Sequence, residues 1–350
     1  MVEHNGVHGC NGREQAERQN EHRETLMNKS TGGIVTVFGG SGFLGRHVVR
    51  ALALKGYRIR VAVRRPDLAG FLQPLGNVGQ VMPMQANLRD ANSVARAVEG
   101  AEAVVNLVGI LHQAGKQSFD AVQHIGAQTI AEATARAGIS KLVQISAIGA
   151  SEESPSDYAR SKANGEIAAL SAVPGAVIVR PSLLIGTEDN FFNKFAEMSR
   201  LSPFLPLVGG GKTKFQPAFV GDVANVIARG VDGLLTPGAT YELGGPEVKT
   251  FKELLEMMMA VTHHQRLLMP IPFWAAHAMG SVFERLPLTP PLTSDQVTLL
   301  KFDNVVSDLA KAEGRTFEGL DINPMAIEAV IPTYLWSYRS TGQYETNRVQ

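Results

Sequence analysis

The chain predicts an α/β protein, a doubly wound parallel sheet that carries a smaller α/β lobe toward its C-terminal end. Three observations lead there. A β-rich run, Val35-Thr36-Val37-Phe38, enters Gly39, Gly42 and Gly45 at G-x-x-G-x-x-G spacing and then an amphipathic segment. From residue 58 to residue 180, short apolar runs alternate with helical patterns, which is the rhythm of right-handed βαβ crossovers. The apolar runs are continuous, as in Ala103-Val104-Val105-Asn106-Leu107-Val108, and so suit strands covered by helices on both faces.

Composition sets the outer bounds. The 350 residues are 44% hydrophobic, enough for one large domain or two smaller ones with a proper core. Lysine plus arginine equals aspartate plus glutamate at 33 each, so global charge gives no argument for a nucleic-acid partner. The one cysteine, Cys10, allows no disulfide within the chain and no Cys-based metal site, and no other metal site is expected. No apolar run reaches the roughly 18 residues of a membrane span. Residues 1–31 are polar, with few large apolar side chains. They read as a disordered tail and resemble neither a signal peptide nor a good transit peptide. The expected division is a tail at 1–31, a nucleotide-binding domain at 32–182, a smaller lobe at 183–340 interleaved with it, and a tail at 341–350.

Strand, glycine turn and helix in that order form the nucleotide-binding opening of a Rossmann-type sheet. Gly39 turns the chain out of the strand, Gly42 admits a pyrophosphate close to the backbone, and Gly45 permits close packing of the helix. The amides of Ser41, Gly42, Phe43, Leu44 and Gly45 are then expected to face the phosphates at the positive end of the helix dipole. A second strand is expected at 58–63. Where an NAD-binding chain places an acid about 20 residues past the glycines, Arg64 and Arg65 follow this strand. Guanidinium groups bind a 2′-phosphate that a carboxylate would repel, so NADP(H) is expected over NAD(H).

The third strand is expected at 81–86, with Asn87 at the adenine edge and Leu88 packed on the ring. A short helix over 91–99 and a fourth strand over 103–108 follow. That strand brings Val108 and Gly109 to the cofactor, while Asn106 is either a structural hydrogen-bonding residue or part of the site. A helix over 119–137 buries Ala121, Val122, Ile125, Ile130 and Ala133. The fifth strand, 141–146, ends in Ser146, and Tyr158-Ala159-Arg160-Ser161-Lys162 opens a helix. Tyr158 and Lys162, four apart, share a helical face. An ammonium there is expected to lower the phenol pKa and to hold the nicotinamide ribose, leaving Tyr158 as acid or base toward a carbonyl or alcohol. The sixth strand, 176–180, delivers Pro181 near the nicotinamide. Beyond it, a helix running to residue 230, a strand at Tyr241 and a helix capped by Thr250 with Glu253 read as the smaller lobe.

These motifs resemble the extended or atypical short-chain dehydrogenase/reductase superfamily. Longer strings, Asn106-Leu107-Val108-Gly109-Ile110-Leu111, Tyr158 through Glu166, Asn193-Lys194-Phe195-Ala196 and Lys214-Phe215-Gln216-Pro217, resemble the nucleotide-binding accessory subunits of respiratory complex I and their bacterial relatives. The resemblance spans roughly residues 33–340. It implies a tightly held NADPH and docking on the peripheral arm among other complex I subunits. It also implies a peripheral position on the cytoplasmic or matrix side of the inner membrane, and a role in assembly and stability.

Active superfamily members carry a Ser or Thr after the fifth strand, whereas this chain reads Ser146-Ala147-Ile148-Gly149. Ile148 falls at the hydroxyl position in one alignment, and a two-residue shift puts Ser146 there. Three functions stay open: a structural subunit, a free-standing NAD(P)H-dependent reductase, epimerase or sterol-dehydrogenase-like enzyme, and a sensor of NADPH levels. The apolar segment 267–283, with Phe273 and Trp274, reads either as an anchor on membrane lipid or a partner, or as a core helix.

Overall fold

The computed structural model describes residues 32–285, 290–340 and 342. The expected tail at 1–31 lies outside the described residues, as does nearly all of 341–350.

The first half alternates as expected. Strand β1 (Gly32–Phe38) leads to helix α1 (Phe43–Leu54), β2 (Tyr57–Val63), β3 (Val81–Gln85), α2 (Ala91–Val98) and β4 (Ala103–Asn106). Helix α3 (Ile125–Arg136), β5 (Lys141–Ile145), α4 (Asp157–Ala172) and β6 (Val177–Pro181) follow. After these come β7 (Leu184–Ile185), α5 (Phe192–Leu201), β8 (Phe204–Val208), β9 (Lys214–Phe215), β10 (Ala218–Phe219), α6 (Val220–Val231) and β11 (Thr240–Leu243). The last elements needed here are β12 (Lys249–Thr250), α7 (Phe251–Thr262), β13 (Leu267–Ile271) and α8 (Phe273–Phe283).

Seven strands form one sheet in the order β11-β6-β5-β4-β1-β2-β3, every neighbouring pair parallel. The chain begins in the middle and winds outward both ways. Strand order therefore reverses between β1 and β4, which leaves a crevice at their carboxyl ends. One face buries Val48 and Leu52 of α1 with Val223 and Ile227 of α6. The other buries Val94 of α2, Ile130 of α3 and Ala169 of α4. Each of the valine, leucine and isoleucine side chains among these stabilises the fold by about 1.5–3 kcal/mol. A separate core of Phe192, Leu205, Phe251, Leu254, Met258 and Leu335 holds the smaller lobe, where β7–β10, β9–β12 and β8–β13 make two-stranded pairs.

Four elements differ from the sequence reading. Helix α6 and strand β11, expected in the lobe, belong to the main sheet, where β11 pairs with β6 through Tyr241 and Val179. Lobe elements interrupt the crossover that brings them back, which hides the βα rhythm. Strand β4 stops at Asn106, because the side chain of this residue accepts the Val108 N–H (3.1 Å) and donates to Gln144 (2.8 Å). Asn106 is thus a structural hydrogen-bonding residue. Ahead of α3, residues Asp120–His124 form a π turn, which adds a residue and rotates the helix phase. Gln123 is consequently buried and Ile125 exposed, while Ile130 and Ala133 are buried as expected.

Candidate functional site

The crevice at the switch point is built first by glycine. Gly39 has φ of +77°, a left-handed conformation that costs other residues strain. Its carbonyl accepts the Gly42 N–H at 3.0 Å, which closes the turn. A Cβ on Gly45 would lie 2.4 Å from the Gly39 oxygen and 2.6 Å from the Gly40 carbonyl carbon. Gly45 therefore lets α1 pack on the turn itself. Helix α1 has Gly42 as its N-cap, with no side-chain cap and no acid in its first turn. Its first amides are left as donors for an anion. Leu44 points into the core, and the Phe43 ring meets His47 edge-on at 5.9 Å, so these two can offer only backbone to a phosphate. Ser41 is half-buried and Gly42 exposed at the same turn.

At the end of β2, Arg64 is exposed and donates to Gln117 (2.9 Å). Arg65 is tied to both carboxylate oxygens of Asp67 (3.0 and 2.7 Å). Of the two expected 2′-phosphate ligands, Arg65 thus already has an anionic partner in Asp67. After β3, the Asn87 side chain accepts the Arg89 N–H (3.2 Å), and Leu88 lies against Gly126 of α3. Val108 is half-buried and Gly109 exposed beyond β4. A Cβ on Gly109 would lie 3.2 Å from Lys162 Nζ, so the glycine leaves room for the lysine head.

The other wall is the end of β5 and the start of α4. Ser146 is 4% exposed and its hydroxyl has no hydrogen-bond partner. Lys162 is 5% exposed, with Nζ 5.9 Å from the centre of the Tyr158 ring. Tyr158 also packs edge-on against Phe119 at 5.7 Å. An orphaned hydroxyl, a buried ammonium and an uncapped helix start at one sheet edge fit an occupant with hydroxyls at one end and a diphosphate in the middle, as a dinucleotide has.

The expected electrostatics of the pair is reversed. The Tyr158 phenol is pushed up to about 12, first by burial and then by the Asp295 charge. Burial pushes Lys162 down to about 8, which the Glu166 charge partly offsets. Desolvation opposes charge on both groups and is the largest cause for each. Pro181, buried at the end of β6, accepts the Ile148 N–H through its carbonyl (3.1 Å). Ile148 itself is 9% exposed and packs with Val306 and Ala310.

Sequence reasoning missed several residues. Gln123 donates to Ser161 (2.9 Å) and accepts the Ile110 N–H (3.3 Å), fastening the loop after β4 to the Tyr158 helix. Asp295 accepts the Tyr158 N–H (3.3 Å), and Ser182 donates to Asn304 (2.6 Å). None sits in a motif, and Asp295 and Asn304 arrive from more than a hundred residues downstream.

The NAD(P)H-binding family model matches residues 39–172, the stretch that contains the glycine turn and the Tyr158 helix. Over most of its length the chain is similar to NADH dehydrogenase [ubiquinone] 1 alpha subcomplex subunit 9, mitochondrial, of Arabidopsis thaliana. The two are 38% identical over 335 residues, covering 91% of this chain and 82% of that one. The chain belongs to the alpha subcomplex subunit 9 family. The Dictyostelium discoideum member of that family is 34% identical over 277 residues, covering 77% of this chain and 76% of its own. A ceramide reductase of Caulobacter vibrioides is 37% identical over 176 residues, covering 50% of this chain and 54% of that one. Among solved structures, an NADPH-dependent quinone oxidoreductase of Escherichia coli in complex with NADPH superposes with a TM-score of 0.66. It is 19% identical and covers 84% of this chain and 97% of that one, a likeness of fold alone. The subunit 9 family member described here thus carries an NAD(P)H-binding domain on a Rossmann-type sheet.

Proposed function

We propose that this protein is an NADPH-binding accessory subunit of respiratory complex I that stabilises the peripheral arm near the membrane without turnover. The main support is the length of the match: relatives named as complex I subunits align with both the sheet and the lobe. When bound, NADPH would bring a hydride donor. In this reading the turn from Gly39 to Gly45 holds the pyrophosphate and Arg64 pairs with the 2′-phosphate. Asn87 and Leu88 flank the adenine, Val108 and Gly109 border the ribose, and Pro181 lies near the nicotinamide. Lys162, Tyr158 and Ser146 address the ribose and carboxamide end. Ile148 offers no hydroxyl where a carbonyl oxygen would need one, a loss worth several kcal/mol of transition-state stabilisation in comparable sites.

Contact with the rest of the complex, and with lipid at its edge, is assigned to segment 267–283. Trp274 is 77% exposed, and Leu267, Met269, Met279 and Val282 are exposed with it. Of α8, only Ala276 and Gly280 are buried, so the core-helix alternative finds little support. Such clustered apolar exposure marks an interaction surface. No helix among the described residues is long and apolar enough to cross a membrane. Attachment would be peripheral, on the cytoplasmic or matrix side of the inner membrane.

A free-standing reductase is the second reading. The partial match to a ceramide reductase and the presence of Tyr158 and Lys162 favour it. Gentle membrane extraction followed by native separation decides between them. Co-migration with complex I is expected, and a protein that migrates alone overturns the subunit reading. For the cofactor, Arg64→Ala is expected to weaken NADPH about tenfold or more and NADH little, as loss of a charge-assisted hydrogen bond implies. Equal loss for both overturns the 2′-phosphate assignment.

A further inference from the structure

One segment, 294–310, runs across the carboxyl edge of four adjacent strands. Its Gln296 side chain reaches the Leu111 carbonyl beyond β4 (3.4 Å). Asp295 accepts from the Ser156 hydroxyl (2.8 Å), the Asp157 N–H (2.8 Å) and the Tyr158 N–H (3.3 Å) at the start of α4. Beyond β5, the Asn304 amide donates to the Ile148 carbonyl (3.2 Å). Beyond β6, the Ser182 hydroxyl donates to the Asn304 backbone and side-chain oxygens (2.9 and 2.6 Å). The Val306 N–H donates to Gln216 (3.0 Å) and the Ser307 N–H to Glu242 of β11 (2.8 Å). Val306 and Ala310 bury against Ile148.

The other half of the edge is left alone. No hydrogen bond among the described residues joins this segment to the turns after β1, β2 or β3, where Gly39 to Gly45, Arg64 and Asn87 lie. The division falls at the switch point. The half that would take the nicotinamide is roofed, and the half that would take the adenosine is not.

We propose that segment 294–310 is a strap that occupies the substrate side of the dinucleotide site. It shields the nicotinamide end from solvent and from any second reactant, and Asp295 and Asn304 are its pins. The proposal rests on the dinucleotide reading given above. It deepens that reading by making the absence of turnover a matter of a filled cleft as well as of a missing hydroxyl. The apolar contact of Ile148 with Val306 and Ala310 takes the place where a carbonyl substrate would approach the end of β5. The Asp295 carboxylate, at the positive end of α4, fixes the backbone that presents Tyr158.

The test uses the full chain loaded with NADPH and acrylamide as a quencher of nicotinamide fluorescence. Bound NADPH is expected to be quenched far less than free NADPH. In Asn304→Ala and Asp295→Asn, quenching and the rate of NADPH release should each rise about tenfold, the effect of losing roughly one well-made hydrogen bond. A second measurement needs no cofactor. In the unloaded chain, Asp295→Asn should speed amide hydrogen exchange at Asp157 and Tyr158 while leaving β1, β2 and β3 unchanged. Val306→Ala, which trims the plug without touching a pin, covers the case in which a pin variant fails to fold, and it too should raise quenching. Binding with quenching equal to that of free NADPH overturns the strap alone. No NADPH binding at all overturns the dinucleotide reading and the strap with it. Unchanged quenching in all folded variants overturns the strap.

Discussion

Gly42 and Gly45 sit in one turn, yet the structure gives them separable roles, and paired alanine substitutions should pull these apart. At Gly45 the added methyl would meet backbone, 2.4 Å from the Gly39 oxygen and 2.6 Å from both Gly40 Cα and its carbonyl carbon. Backbone cannot swing aside as a flexible side chain can, so the turn or α1 must move. Overpacking of this kind costs about 1–3 kcal/mol. It is offset by up to about 1 kcal/mol from the better helix propensity of alanine. A net destabilisation of about 1–2 kcal/mol is expected for Gly45→Ala in the protein without nucleotide. At Gly42 the methyl would meet only the Gly39 oxygen at 3.3 Å, and φ is −76°, which any residue adopts. The cost to the fold is then the poorer N-cap, about 0.5 kcal/mol, with a shift of a few tenths of an ångström at the Gly39 carbonyl. The methyl would, however, stand where a pyrophosphate comes close. Gly42→Ala should therefore melt within a degree or two of the parent but bind NADPH at least about tenfold more weakly, since each 1.4 kcal/mol is tenfold. Thermal unfolding without nucleotide and an NADPH fluorescence titration read the two quantities. Equal melting of the two variants would refute the packing role of Gly45. Unchanged NADPH affinity in Gly42→Ala would refute the phosphate role of the turn.

Three further outcomes follow from buried charge. Lys162→Met should raise the melting temperature of the unloaded chain at pH 7 while abolishing tight NADPH binding. Burial lowers the lysine to about 8 from 10.5, so the unfolded chain binds the extra proton. The penalty is full below about pH 8 and is relieved toward pH 10.5, where the two proteins should converge; a constant gap across that window would refute it. Tyr334→Phe removes the hydroxyl that donates to buried Asp189, which leaves that carboxylate to the Phe191 and Phe192 amides (2.9 and 2.6 Å) and the longer Gly186 and Asn193 amides (both 3.4 Å). A loss of about 1–2 kcal/mol is expected. Burial holds the Asp189 pKa above its ordinary value and the Tyr334 hydroxyl opposes that rise. The unfolded-state pKa is common to both proteins and cancels, so the loss should shrink as pH falls through the raised native-state pKa of Asp189, already above the ordinary carboxylate value of about 4. Arg180→Met strands Glu166, held through two contacts of 2.8 and 2.6 Å, and Glu242 at 3.5 Å. About 3 kcal/mol should be lost. The double variant Arg180→Met with Glu166→Gln should recover part of it, and additive losses in that cycle would show that the pair is not coupled.

A nucleotide-binding α/β sheet was legible in the sequence because its signals are local. A strand, a glycine turn and a helix occupy fewer than twenty consecutive residues from Val35 to Leu52. Each glycine answers to steric demands set by neighbours within the same turn. Continuous apolar runs report burial on both faces, and Tyr158 and Lys162 share a face by helical geometry alone. Composition likewise excluded a disulfide framework. Tertiary structure decided everything that depends on distant partners. Whether Arg65 is free depends on which way Asp67 folds back. Whether a phenol beside an ammonium is lowered or raised depends on how deeply both are buried, and depth is a property of the packed chain. Strand β11 and helix α6 return to the sheet through a lobe that hides their periodicity. Asp295 and Asn304 take their meaning from contacts with Tyr158 and Ile148 more than a hundred residues away. Sequence patterns record what a residue's neighbours along the chain require, whereas desolvation and closure depend on what the fold brings on top of it.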